Sequence, residues 1–237
     1  MQTDINILLA SAISLGFIHT VLGPDHYLPF IMLARAEKWK TAKTIWVTVG
    51  CGIGHVLSSV ALGYLGIGLG MASAKLAGVE SIRGKLAAWG VIAFGLVYTV
   101  WALVQLKRRK PHTHIHIHEG GEMHRHIHTH QREHLHVHNN EKRKALTPWV
   151  LFIIFAFGPC EPLIPLLMYP AAVYGGWGTF LVAGAFSLIT IATMVGIVLA
   201  GHWGLKELRG TWLEKYSSVL AGLTILASGL GIEFLGL

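Results

Sequence analysis

Charge is what this chain has least of: 13% of its 237 residues are Asp, Glu, Lys or Arg, against 53% hydrophobic, and the mean hydropathy is +0.54. A soluble domain carries about 25% charged residues, so a soluble fold is excluded and the chain is read as an all-α integral membrane protein. Cysteine is nearly absent too. Cys51 and Cys160 are the whole complement and both fall in apolar segments, so no disulfide framework is implied. There is no glycine-rich phosphate-binding loop, which argues against an ATPase, and nothing else reads as an enzyme. No nucleic-acid-binding motif accompanies the pI of about 9.5.

What the chain does have is long apolar runs. Stretches 5–34, 44–70, 86–106, 148–173, 178–200 and 216–236 each reach the about 20 residues that a spanning helix needs. They predict six transmembrane helices. The N-terminal Met1-Gln2-Thr3-Asp4 lacks the basic start of a signal peptide, so the first segment is expected to stay in the mature protein. Arg35, Lys38, Lys40 and Lys43 fall between helices 1 and 2, nine Lys/Arg between helices 3 and 4, and Lys206, Arg209 and Lys215 between helices 5 and 6. Only Lys75, Arg83 and Lys85 fall on the other side. The positive-inside bias therefore predicts both termini outside and these three loops in the cytoplasm.

A polar insert at 107–147 separates two three-helix membrane repeats, 1–106 and 148–237. Because three is odd, a second block resembling the first crosses the membrane in the opposite sense, the inverted-repeat plan of many secondary transporters. Gly23-Pro24-Asp25-His26-Tyr27-Leu28-Pro29 in helix 1 stands against Gly158-Pro159-Cys160-Glu161-Pro162-Leu163-Ile164-Pro165 in helix 4. Proline has no amide donor and clashes with the preceding turn, so helices 1 and 4 are expected to break at Gly-Pro, each break followed by two metal-ligating side chains.

Ionisable groups inside a membrane are costly and point to function. Here they are His19, Asp25, His26, His55 and Glu161, with Cys160 as a potential thiolate. His19 and His26 are two helical turns apart and share a face. Imidazole, carboxylate and thiolate together suit nickel, cobalt and zinc better than magnesium or calcium, which prefer oxygen. Plainer roles stand beside these: Asp25 as a helix cap, His55 as a hydrogen-bonded packing residue, Cys160 as an inert buried thiol.

The insert holds eleven histidines in alternating runs: His112, His114, His116 and His118; His124, His126, His128 and His130; His134, His136 and His138. Alternation places successive imidazoles on one side of an extended chain. A mobile cytoplasmic loop that collects or senses metal is expected, against the alternatives of solvated filler or a pH-sensitive element.

His19-Thr20-Val21-Leu22-Gly23-Pro24-Asp25-His26 resembles the first-helix motif of the nickel/cobalt transporter family, and Gly54-His55 with Ser58-Ser59 resembles that family's second-helix motif. Pro159-Cys160, with Phe186-Ser187 and the histidine-rich loop, is similar to the NicO-type efflux branch of the LysE-like superfamily. The chain departs from the pattern in having Cys-Glu-Pro where the branch shows Cys-Pro, and Gly-Pro-Asp-His where the larger nickel permeases show Asp-Ala-Asp-His. The resemblance implies a secondary transporter of divalent transition-metal ions, Ni or Co first and Zn next, in a bacterial or archaeal inner or plasma membrane. Its site would lie at the membrane midplane between helices 1, 2 and 4, and the loop tilts the reading toward efflux. Metal is then substrate, with no permanent cofactor; the partners are the bilayer and, as an open question, further copies of the chain. The superfamily also contains thiol–disulfide electron carriers of the DsbD/CcdA type and exporters of small anions or amino acids, which stand as the alternatives.

Overall fold

The computed structural model describes residues 2–108, 112–117, 123–128, 140–158, 160, 162–207 and 210–235. Its helices are α1 (Gln2–Leu22), α2 (Leu28–Ala36), α3 (Thr41–Gly68), α4 (Ser73–Arg108), α5 (Asn140–Phe157), α6 (Leu163–Glu207) and α7 (Thr211–Leu235). The architecture is all-α, with one short antiparallel ladder confined to the insert. There β1 (His112–Ile117) pairs with β2 (Met123–His128), setting His112 opposite His128, His114 opposite His126 and His116 opposite His124. Five of the helices are long and apolar enough to cross a membrane, and Thr147–Phe157 is a shorter apolar helix.

Both Gly-Pro sites interrupt their helices. At the first, Gly23 is extended (φ −88°, ψ 94°) and Pro24–His26 forms a single 3-10 turn before α2 begins. At the second, α5 stops at Phe157 and α6 starts at Leu163, whose amide is bonded to the Cys160 carbonyl at 2.9 Å. A proline in either place cannot donate to the helical ladder, and the chain satisfies the ends with short local bonds instead.

One segment differs from the sequence reading. The third span does not begin at 86 but at Ser73, because the charges that depress its hydropathy there are internally paired: Arg83 Nη1 donates to Glu80 Oε1 at 3.1 Å, one helical turn away. Segments 148–173 and 178–200 meet at Gly175, where a kink separates two helical stretches within Leu163–Glu207. Segment 148–173 is divided between α5 and the start of α6, and α6 runs on for 45 residues, with non-helical backbone at Gly175 (φ 65°, ψ −158°). Only glycine adopts that φ without strain.

α4 packs against α7, α1 against α6, and α3 against both α6 and α5. Where α4 meets α7 the backbones touch: a methyl on Gly95 would stand 2.7 Å from the Leu226 Cα, and one on Gly222 would stand 2.8 Å from the Thr99 Cα. Small residues permit that approach where packing, rather than expulsion of water, holds helices together.

The buried side chains form two clusters. One, around Phe30, Leu33, Trp39, Cys51, Leu151, Phe155, Met194 and Val198, draws on the helix halves nearest the insert. The other, around Ala12, Val56, Cys160, Leu163, Leu167, Val182 and Phe186, draws on the opposite halves. The helix breaks lie between them.

Candidate metal centre

Three imidazoles meet at the first break. His19 comes from the last turn of α1, His26 from the 3-10 turn and His55 from the middle of α3, and one ring nitrogen from each lies within 4.8 Å of the other two. His26 and His55 are 3% and 2% exposed. The His26 ring stands edge-on to both others, with centroids 4.7 Å from His19 and 5.0 Å from His55. The cluster exists because the helix stops at Gly23: the 3-10 turn carries His26 back toward the His19 ring, and Asp25 goes with it.

Hydrogen bonding fixes which nitrogen each ring presents. His26 Nδ1 faces Asp25 Oδ1 at 3.1 Å and the Gly23 carbonyl at 3.2 Å. Both are acceptors, so Nδ1 carries the proton. His55 Nδ1 faces the Phe155 carbonyl at 3.3 Å and carries its proton by the same logic. The two Nε2 atoms then face each other across 3.4 Å. A carboxylate or carbonyl behind a histidine is the usual support of a metal ligand.

Of the six residues singled out inside the membrane segments, five gather here. Asp25, 25% exposed, stands behind His26, and the Cys160 thiol reaches the group from the second break, 3.9 Å from His19 Nε2. Glu161 lies outside the described residues, as do His118, His130, His134, His136, His138 and the side chains of the remaining loop histidines.

Sequence reasoning missed one partner of the site. Arg83, on α4, donates to Ser58 Oγ (3.0 Å), Ser59 Oγ (3.2 Å) and the Gly158 carbonyl (2.8 Å), besides the buried Glu80. It thereby ties α4 to α3 and to the end of α5, beside the second break. The Glu80-x-x-Arg83 spacing inside an otherwise apolar helix was the available signal.

The imidazoles line a cavity of about 510 Å³ that also touches Leu15, Ser81, Lys85 and Glu233. Phe155 and Ile154 form part of its wall. The arrangement defines an integral membrane protein with a buried histidine centre set at a helix break. Comparison with protein-family models, with curated proteins and with solved structures returned no match.

Proposed function

We propose that this chain is a secondary transporter of divalent transition-metal ions, working in the direction of efflux. The observation that carries the reading is the meeting of His19, His26 and His55 within 4.8 Å, with His26 Nε2 and His55 Nε2 3.4 Å apart, among helices apolar enough to cross a membrane. The resemblance to nickel/cobalt transporters agrees with it at His19, Asp25, His26 and His55. The cavity supports a transporter, because it sets the imidazoles beside a space of about 510 Å³ within the bundle.

The reading includes six crossings in two inverted three-helix repeats. A continuous α6 would measure about 68 Å, twice the about 30 Å of a bilayer core, and Gly175 divides it where two crossings would meet. Exchanging the two blocks maps the pair α3–α5 onto α6–α1 and leaves α3–α6 and α4–α7 unchanged; all four are packed pairs. Alternate exposure follows if the blocks rock about the site, the histidine-rich loop collecting metal on the cytoplasmic face of an inner or plasma membrane. Imidazole and thiol bind metal in deprotonated form, so loading releases protons and proton exchange is a natural energy source.

Cys51 and Cys160 are both free and belong to different apolar clusters, which favours metal transport over shuttling of reducing equivalents. The test is metal accumulation in cells expressing wild type, His26→Ala and His55→Ala. Efflux lost in both variants, with normal membrane levels, is the expected result; transport unchanged in both would remove the proposed site.

A further inference from the structure

We infer that the centre is built for a tetrahedrally coordinated ion, with Cys160 as its fourth ligand, and therefore takes Zn(II), Co(II) or Cd(II) in preference to square-planar or octahedral Ni(II). This rests on the metal-transport reading and specifies its cargo. The first support is a distance. With metal–nitrogen bonds of about 2.0–2.1 Å, two imidazole nitrogens on one tetrahedral ion stand about 3.4 Å apart, whereas adjacent ligands at right angles stand about 2.9 Å apart. His26 Nε2 and His55 Nε2 are 3.4 Å apart, each held from behind by acceptors on its Nδ1.

The second support is the thiol. A tetrahedral nitrogen–sulfur edge, with a metal–sulfur bond of about 2.3 Å, is about 3.6 Å. Cys160 Sγ stands 3.9 Å from His19 Nε2, so that edge closes with a shift of a few tenths of an ångström. Cys160 lies outside any helix, between Phe157 and Leu163, where the backbone can make that shift without breaking a helical turn. Binding forms one metal–sulfur bond and releases the S–H proton to the cavity. Sulfur ligation also favours zinc and cadmium by softness, against the general order that ranks nickel above cobalt. The two breaks then have complementary roles: the first supplies imidazole and the second supplies sulfur, so a bound ion joins the two halves of the bundle.

The experiment is titration of the purified full-length chain with Co(II), read by absorption. Wild type is expected to show the intense visible bands of tetrahedral Co(II) together with a near-ultraviolet sulfur-to-cobalt band. Cys160→Ser should lose the sulfur band and keep bound cobalt, while Cys51→Ser should keep both. The loop histidines carry no sulfur, so cobalt bound there cannot imitate the band. Zinc should displace the site's cobalt at lower concentration than nickel does, and Cys160→Ser should narrow that difference. Cobalt that depends on His26 and His55 but gives a weak octahedral spectrum without a sulfur band overturns the inference and leaves the transporter reading standing. A sulfur band that persists in Cys160→Ser overturns it as well. Cobalt binding unaffected by His26→Ala and His55→Ala sinks the metal centre itself.

Discussion

The two helix breaks begin with the same dipeptide and are built differently. The first is tight: Pro24–His26 closes a 3-10 turn, with the His26 amide bonded to the Gly23 carbonyl at 3.0 Å and the Tyr27 amide to that of Pro24 at 3.3 Å. The second also has local bonds, from the Gly158 amide to the Phe155 carbonyl at 3.0 Å and from the Leu163 amide to the Cys160 carbonyl at 2.9 Å, but its Gly158 carbonyl is held in addition by a guanidinium from another helix, 2.8 Å away. A break stabilised by its own backbone can position ligands without help. One also held from another helix moves when that support moves. The first break is thus suited to hold an ion, and the second to respond to it.

That contrast is broken most severely by removing an imidazole from the rigid side. His26→Ala or His55→Ala takes away a ligand and leaves the other two imidazoles in place. The loss in affinity should exceed the about 10- to 100-fold that a supporting residue costs. Zinc binding by the purified protein, after deletion of 111–140 to silence the loop, measures it; affinity within threefold of wild type in both variants would contradict the contrast.

Next comes release of the second break. Arg83→Met cuts four donor contacts and leaves the fully buried Glu80 carboxylate without the guanidinium. Removing one partner of a buried pair costs about 3–5 kcal/mol, which should appear as a clearly lower melting temperature in detergent. Glu80→Gln added to Arg83→Met should recover much of that stability. The Gly158 carbonyl would still lack its donor, so the double variant separates the two effects: it should fold, yet bind zinc less tightly. A double variant with wild-type affinity would mean that Arg83 serves only the fold.

Much of this was legible in the sequence, and the reason is electrostatic. Inside a membrane an ionisable side chain stands out against its neighbours, so His19, Asp25, His26 and His55 were findable as residues, and Gly-Pro marked both breaks. Arg83 and Glu80 were hidden because hydropathy counts a neutralised i, i+3 pair as two charges and so moved the start of the third span from Ser73 to 86. The separation of the fourth and fifth segments placed a boundary between 173 and 178, and the backbone has its kink there, at Gly175. No local pattern could have given the nitrogen that His55 presents, since that depends on Phe155, 100 positions away.

A smaller effect tests how the first break orders its ligand. Asp25→Asn keeps an oxygen near His26 Nδ1 but removes the charge that steadies the protonated nitrogen. Affinity for zinc should fall about 10- to 100-fold, with less loss than for His26→Ala and no change in ligand number by cobalt spectroscopy. Because each imidazole must be neutral to bind, affinity in both wild type and variant should decline as the solution is made acidic. Loss of a ligand in the cobalt spectrum of Asp25→Asn would make Asp25 a direct ligand instead of a support.

The smallest expected effect lies where the two broken helices meet at the insert end of the bundle. Glu37, just beyond α2, accepts a hydrogen bond from Trp39 Nε1 at 2.8 Å and another from Thr147 Oγ1 at 2.7 Å. Thr147 belongs to α5, so this carboxylate joins the first broken helix to the second on the side of the apolar cluster around Phe30. Thr147→Val removes one donor while nearly preserving shape, and a single hydrogen bond to a charged group is worth about 1.5–3 kcal/mol, the low end applying to a partly exposed one. If the bond exists only in the closed arrangement, its loss raises the open population about tenfold. Cys51, 2% exposed within the same cluster, reports that population through its rate of thiol labelling. Faster labelling in Thr147→Val, reversed by added zinc, would place the moving part at the second break; labelling unchanged by both would leave the two halves fixed at this end.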